Sequence, residues 1–337
     1  VDTTGGKEGF VSVPFYIDDR KGLGLEGAIG FNSSADGKPA VFGNLTFSLV
    51  NMLHLGESAS LEYAGDQKYQ RLRIEIAKPW IFNLPLEISG DGTLEIVSGQ
   101  YGFIAANLKA LAESNSLWKV GAAVTIHEVT PSSDSLTEYS NAEEGAFYGA
   151  EFILQRMTSE YSKGVLAHQF QIQTGSGIAR KSKNYSRTHF EFSGSVHIPF
   201  LKSQAVMARI VSMHLLTKEE VLLPAELYRV GGYKSVRGYA DEAFPFRTAI
   251  YGQLDYRYYF KNAGAVYIFA DGGMGFEKKI TLNGAHQQLF GYGVGLFLPS
   301  KIGGMVLEWA RNLQDRKELG RLHIRVQNSF ISRNHTF

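Results

Sequence analysis

The sequence contains no cysteine and only 9 prolines among 337 residues. Without cysteine there is no disulfide and no thiolate metal site. No uninterrupted apolar run approaches the roughly 18 residues that a membrane-spanning helix needs, so helical spans are excluded. Lys and Arg total 34 against 33 Asp and Glu, which leaves a net charge of +1. A net charge this small creates no positive potential that would attract phosphate groups, which argues against a nucleic-acid partner.

The abundant residue types are those of strands and tight turns. Gly numbers 37, Phe 22 and Tyr 17, a balance typical of β structure. Apolar and polar residues alternate with a period of two in segments that recur almost to the end of the chain. Examples are the segments 23–31, 71–76, 148–155 and 190–198. The pattern predicts an all-β protein.

Alternation alone does not separate a soluble β-sandwich from a membrane barrel. Many segments run ten residues or longer, the length of a tilted membrane-spanning strand, and aromatics such as Tyr256, Tyr258 and Phe260 cluster near their ends. Roughly eleven segments precede the long connection Thr217–Arg247 and about five follow it. Short turns alternate with longer polar loops. The sequence therefore predicts a 16-stranded antiparallel transmembrane β-barrel.

Motifs for catalysis and cofactor binding are weak. Gly22 to Gly27 match GxGxxG, but they lie inside an alternating strand, whereas a dinucleotide fingerprint opens a helix. The 9 histidines form no HExxH, and no GxSxG is present. We therefore expect no catalytic residue, no metal and no cofactor. A Ser and His pair meeting across strands is the enzymatic alternative that the sequence leaves open.

One set of charged residues stands out around the long connection. Strand parity places Asp255 and Asp271 on the lumen side of two neighbouring strands, and Arg237 lies in the preceding connection. A guanidinium that enters the lumen could pair with either carboxylate or with both. The alternative is that both carboxylates line a wet pore and that Arg237 is a solvated loop residue. Spacing alone leaves the two interpretations open.

Three motifs occur in the order of a known family. Val236-Arg237-Gly238-Tyr239 matches VRG[FY], and the preceding Pro224 to Gly232 has an acidic residue, an aromatic and a Gly-Gly pair. Phe269 to Gly273 matches FxDxG, and Gly252 to Asp255 is similar to GxxE with Asp in place of Glu. In these motifs the chain resembles the Omp85 superfamily of outer-membrane barrels, of the bacterial surface antigen type.

The resemblance implies a long loop folded into the barrel lumen and a location in the bacterial outer membrane. It implies a role in the insertion or translocation of proteins or lipids, with outer-membrane lipids and client proteins as partners. A passive channel and a dimeric structural barrel are the alternatives. The implied site consists of the loop motif Val236, Arg237, Gly238 and Tyr239, the lumen partners Asp255 and Asp271, and the strand-motif residues Phe269 and Gly273.

We expect three regions: an N-terminal lead-in at 1–20, the barrel at 21–330 and a C-terminal tail at 331–337. Residues 1–20 are too few to encode a POTRA domain, so the chain resembles the POTRA-less noNterm group. A barrel excised from a longer protein is the alternative. The aromatic that ends the last strand is either Phe330 or Phe337.

Overall fold

The computed structural model describes ten stretches of the chain. They are residues 22–33, 39–65, 69–115, 117–132, 142–158, 167–260, 264–276, 286–300, 303–314 and 320–327. The expected lead-in at 1–20, the tail at 331–337 and both candidate terminal aromatics lie outside the described residues.

Strands make up almost all of the described structure. The 18 strands are β1 Gly22–Ser33, β2 Pro39–Val50, β3 Ser58–Gly65, β4 Tyr69–Lys78, β5 Leu86–Val97, β6 Tyr101–Asn115, β7 Trp118–Pro131, β8 Gly145–Met157, β9 Ala167–Arg180, β10 Asn184–Leu201, β11 Gln204–Thr217, β12 Tyr228–Val230, β13 Phe244–Phe246, β14 Thr248–Tyr259, β15 Ala265–Phe276, β16 Gln287–Ser300, β17 Gly303–Asn312 and β18 Arg321–Gln327. Two short 3₁₀ turns cover Ile81–Asn83 and Pro224–Glu226. Of the described segments, no helix is long and apolar enough to cross a membrane.

The topology is an up-and-down sheet of 16 strands, which confirms the predicted fold class. Each strand pairs antiparallel with its sequence neighbour, and β11 pairs with β14 across the long connection. The order begins at β1 and ends at β18, and these two strands lie side by side. Within the described stretches, the backbone ladder does not continue from β18 to β1. The letters GxGxxG fall inside β1, a strand that leads into another strand.

The two faces of the sheet follow the predicted parity. On β14 and β15 the outward Leu254 and Ile268 are exposed, whereas the inward Asp255 and Asp271 are buried. A soluble protein would show the reverse arrangement, but a barrel in lipid directs its apolar face outward. Asp255 and Asp271 therefore face the lumen.

The long connection between β11 and β14 fills part of that lumen. Its β12 and β13 form a small antiparallel ribbon of their own. Val230, Val236 and Phe246 are almost fully buried, and they pack with wall residues that include Tyr251 and Leu289. The connection is thus a packed part of the interior.

A charge on the lipid-facing side should destabilise this barrel more than a charge in the lumen. Ile268 is 60% exposed on the outward face of β15. Near the bilayer midplane, Ile268→Arg should lower the free energy of unfolding by about 2–4 kcal/mol. Gln171→Arg on the lumen wall is the matched control, and a smaller cost is expected. Urea unfolding in vesicles measures both. Equal costs would contradict the assignment of the two faces.

Candidate functional site

The loop motif Val236–Tyr239 lies against β15, β16 and the end of β17. Gly238 has a φ of 94°, which glycine adopts without strain. Gly291 on β16 gives the loop room, because a Cβ at that position would collide with the carbonyl oxygen of Arg237. The side-chain amide of Asn312 donates to the Gly238 carbonyl over 2.9 Å. These close approaches fix the position of Arg237.

The guanidinium of Arg237 is surrounded by three carboxylates. Its Nε and one terminal nitrogen each donate to Asp271 over 2.7 Å, and the Arg237 backbone N–H donates to the same carboxylate over 2.9 Å. That terminal nitrogen also donates to Asp255 over 2.7 Å, and the other donates to Glu308 over 3.0 Å. Bidentate pairing of this kind combines strength with a defined orientation.

Two further arginines balance the carboxylates. Arg257 donates to Asp255 over 2.7 Å and Arg325 donates to Glu308 over 3.0 Å. Three guanidinium groups thus face three carboxylates in what we call the Arg237 cluster. Although burial opposes the charged form, the hydrogen bond to Asp271 and its charge hold the pKa of Arg237 above its ordinary value. An uncompensated charge in this position would be costly, so the composition of the cluster is constrained as a unit.

Aromatic rings complete the cluster. The guanidinium carbon of Arg237 lies 3.6 Å from the centroid of the Phe269 ring, a cation–π arrangement. The Tyr267 hydroxyl donates to Glu308 over 2.8 Å. The guanidinium carbon of Arg257 lies 4.6 Å from the centroid of the Tyr267 ring. The aromatic position in the strand motif therefore provides a flat surface beneath the loop arginine.

The structure brings the site residues chosen from the sequence into one region. Asp255, Asp271 and Phe269 contact Arg237 directly. Gly273 of β15 lies against Tyr251, since a Cβ there would approach the Tyr251 Cβ to 2.8 Å.

The rest of the loop motif also has contacts in this region. Val236 is fully buried among apolar residues of the loop and the wall. The Tyr239 hydroxyl accepts from the Phe290 N–H over 3.0 Å.

Sequence reasoning missed Glu308, the third carboxylate of the cluster. Glu308 is 1% exposed on β17, between the outward residues Leu307 and Trp309. The signal was present, because a lone acid in the apolar run Met305 to Ala310 must face the lumen if its neighbours face lipid. It went unused because no motif pointed to β17.

A second ionic group joins the loop to β4 and β5. Arg229 donates to Glu95 over 2.7 Å, and Glu95 also accepts from the Tyr101 hydroxyl over 2.7 Å. On the same side, Glu242 of the loop accepts from Arg71 over 2.5 Å. We call these five residues the Arg229 cluster. Although burial raises it, the nearby guanidinium groups of Arg229 and Arg71 hold the pKa of Glu242 below its ordinary 4.5.

A third ionic group joins the start of the loop to β10 and the turn before it. Arg187 donates to Glu219 over 2.5 Å and to Glu226 over 2.6 Å. The Nζ atom of Lys181 lies 3.0 Å from a carboxylate oxygen of Glu219 and 3.2 Å from a carboxylate oxygen of Glu226. We call these four residues the Arg187 cluster. Although burial raises it, the hydrogen bond from Arg187 holds the pKa of Glu219 below its ordinary 4.5.

The described residues offer no candidate metal centre. No group of three or more His, Asp or Glu side chains among them has the arrangement that could hold a metal ion. The carboxylates that converge in the lumen converge on guanidinium groups. The geometry is that of a mechanical attachment between loop and wall.

Family comparison decides the class of this barrel. The Omp85 superfamily domain matches residues 51–330, a span that includes the loop motif and all three carboxylates of the Arg237 cluster. The chain belongs to the Omp85 superfamily. No curated protein sequence matches it significantly.

Several solved structures share the fold at low sequence identity. BamA from Haemophilus ducreyi lacking POTRA domains 1–3 superposes with a TM-score of 0.63 and 12% identity, covering 92% of this chain and 70% of that one. CdiB from Acinetobacter baumannii superposes with a TM-score of 0.61 and 14% identity, covering 92% of this chain and 60% of that one. CdiB from Escherichia coli superposes with a TM-score of 0.60 and 12% identity, covering 94% of this chain and 63% of that one. The chain thus spans less than two thirds of either CdiB.

Membership places this barrel in the bacterial outer membrane, in contact with outer-membrane lipids.

Breaking the Arg237 cluster should destabilise this Omp85 barrel. Arg237→Ala leaves three carboxylates with two guanidinium groups, and we expect a loss of about 3–5 kcal/mol in the free energy of unfolding. Arg237→Lys keeps the charge but loses the planar fork, so an intermediate loss is expected. Urea titration followed by tryptophan fluorescence measures both.

Two controls make that experiment specific. Arg73→Ala removes a half-exposed lumen arginine whose nearest carboxylate is 3.5 Å away, and we expect about 0–1 kcal/mol. Asp271→Asn should cost nearly as much as Arg237→Ala, and the double variant should cost less than the two single losses added. Strict additivity would show that Arg237 and Asp271 are not coupled.

Attachment of the loop should weaken in acid. A carboxyl whose pKa is lower in the folded state stabilises the fold above its ordinary pKa, and this contribution is lost as the pH falls through the folded value. For Glu242 and Glu219 the loss begins below about pH 4.5. We expect protease cleavage of the loop to stay constant from neutral pH to about pH 5 and to increase below about pH 4. Glu242→Gln should flatten part of this profile, and cleavage independent of pH would refute the assignment.

Proposed function

We propose that this Omp85 barrel assists the insertion or translocation of proteins at the outer membrane. The observation that carries the proposal is the seam, where β18 and β1 lie side by side without a continuous backbone ladder in the described residues. A strand edge presents N–H and C=O groups that an incoming chain can pair with. A client strand could therefore add at the seam while the other strand pairs stay intact.

The composition of the seam supports this use. β1 contains Gly22, Gly24, Gly27 and Gly30, which provide little side-chain packing across the junction. Opening such a junction costs less than opening any of the long ladders elsewhere in the wall.

The Arg237 cluster connects the loop to the seam. Glu308 accepts from Arg237 of the loop and from Arg325 of β18, each over 3.0 Å. One carboxylate therefore joins the loop arginine to the last strand of the barrel. We propose that docking of the loop sets the position of β18, and that the VRGY motif acts as a lock on the seam rather than as a binding site for a small molecule.

Engineered disulfides across the seam test the proposal. The chain has no cysteine, so an introduced pair has no native competitor. Leu23 and Leu25 on β1 and Leu322 and Ile324 on β18 all face outward and are exposed. Cysteine pairs that combine one position from each strand sample the seam, and the matched control is Leu296→Cys with Leu307→Cys, which are directly opposite on β16 and β17.

The readout is the folding rate of a client barrel in liposomes that contain the protein. We expect the reduced protein to accelerate folding over empty liposomes, the oxidised seam pair to abolish the acceleration, and the oxidised control pair to preserve it. Acceleration that survives seam oxidation would contradict the proposal. No acceleration by any form, together with conductance that rises in Arg237→Ala, would favour the passive channel. A dimer in native mass spectrometry without client activity would favour the structural barrel.

A further inference from the structure

Two neighbouring turns expose a set of large apolar side chains. Leu53 is 70% exposed, Trp80 62% and Phe82 89%. Together we call the following residues the apolar turn patch: Met52, Leu53 and Leu55 between β2 and β3, and Trp80, Phe82 and Leu84 between β4 and β5. Successive connections of an up-and-down barrel alternate between its two ends, so both turns lie at the end opposite the long connection. Exposed apolar groups of this size mark an interaction surface.

The turns are held in place by specific hydrogen bonds. The carboxylate of Glu57 accepts from the backbone N–H groups of Leu53 and Leu55, over 2.5 and 3.1 Å. The side-chain oxygen of Asn51 accepts from the Gly56 N–H over 2.8 Å. The two turns also contact each other, since a Cβ at Gly56 would lie 3.2 Å from the Pro79 side chain. The patch is therefore a defined surface.

The backbone of the patch is strained at its largest side chains. Trp80 and Phe82 have φ values of 56° and 53°, and His54 has 60°. Bulky residues rarely adopt this left-handed region, and strain of this kind persists where surrounding structure enforces it. Trp80 and Phe82, the two largest rings of the patch, are exposed in this conformation.

Strand length identifies what covers the patch. A membrane-spanning strand needs about 9–11 residues. The described part of β3 has 8, whereas its neighbour β4 has 10. The outward face of these strands carries Leu61, Ile74 and Ile76, all exposed to lipid. The apolar band around the barrel would be short at β3 if it ended with the described strand.

The turn residues continue this band. Leu84 has an extended backbone, with φ −94° and ψ 152°, and it shares the sequence parity of the outward residues Leu94 and Ile96 on β5. Trp and Phe are the residue types that anchor proteins at the boundary between headgroups and acyl chains. The patch is thus continuous with the lipid-facing surface in position and in chemistry.

We infer that the apolar turn patch inserts into the membrane leaflet at its end of the barrel and extends the apolar band beyond the described part of β3. Its partner is the lipid bilayer, at the boundary between headgroups and acyl chains. Because the patch lies close to β1, it anchors the wall next to the seam. This inference stands independently of the proposed client function.

Tryptophan quenching tests the depth of the patch. The chain has 3 tryptophans, so the double variant Trp118→Phe with Trp309→Phe reports Trp80 alone. The matched control, Trp80→Phe with Trp309→Phe, reports Trp118, which begins β7 at the same end of the barrel and packs against Phe170. Each variant is reconstituted into vesicles with phospholipids brominated near the headgroup, and separately exposed to aqueous iodide.

We expect Trp80 to lose emission to bromolipid as Trp118 does, and to resist iodide. In the Trp80 reporter, Leu53→Asp with Phe82→Asp should shift the emission to longer wavelength and reverse the order of the two quenchers. If Trp80 in the unchanged patch is quenched by iodide and not by bromolipid, the patch lies in water, where it would be available to a protein partner, and the inference is wrong. Equal stability of the Asp variant in vesicles and in detergent would also count against it.

Discussion

The charge balance around Arg237 is the constraint on which the interior of this barrel depends. A guanidinium group that is almost fully buried persists only if carboxylates surround it, and those carboxylates persist only if the loop brings the guanidinium to them. Asp255, Asp271 and Glu308 come from three different strands, so their convergence fixes β14, β15 and β17 relative to the loop. The glycines at 238 and 291 serve the same constraint, because they permit the approach that the ion pairs require.

The loop is attached on several sides, and this distinguishes it from a mobile plug. The Arg237 cluster holds it to β14, β15, β17 and β18, the Arg229 cluster to β4 and β5, and the Arg187 cluster to β10. Each attachment places a buried charge opposite its counterion, so releasing one of them leaves charges unpaired. The loop therefore braces opposite walls of the barrel, and Glu308 extends this bracing to the strand next to the seam.

Much of this architecture could be predicted from the sequence. In a membrane barrel, residues that alternate with a period of two place their apolar side chains toward lipid and their polar side chains toward the lumen. Parity alone placed Asp255 and Asp271 in the lumen, and the order of three motifs gave the family. The alternation along a strand shows which residues face the lumen, but not which of them contact one another. The attachments of Arg229 to Glu95 and of Glu226 to Arg187 join positions 134 and 39 residues apart, and they depend on how the loop crosses the lumen. Glu308 could have been chosen by parity but had no motif to single it out.

The most direct measurement of the central claim is hydrogen exchange of the backbone amides in β18, compared between the native protein and Arg237→Lys. If docking of the loop positions the seam through Glu308 and Arg325, exchange in β18 should become faster in the variant. Exchange in the ladder between β6 and β7, far from the cluster, should stay the same. Unchanged exchange in β18, with the loop itself loosened, would contradict the account.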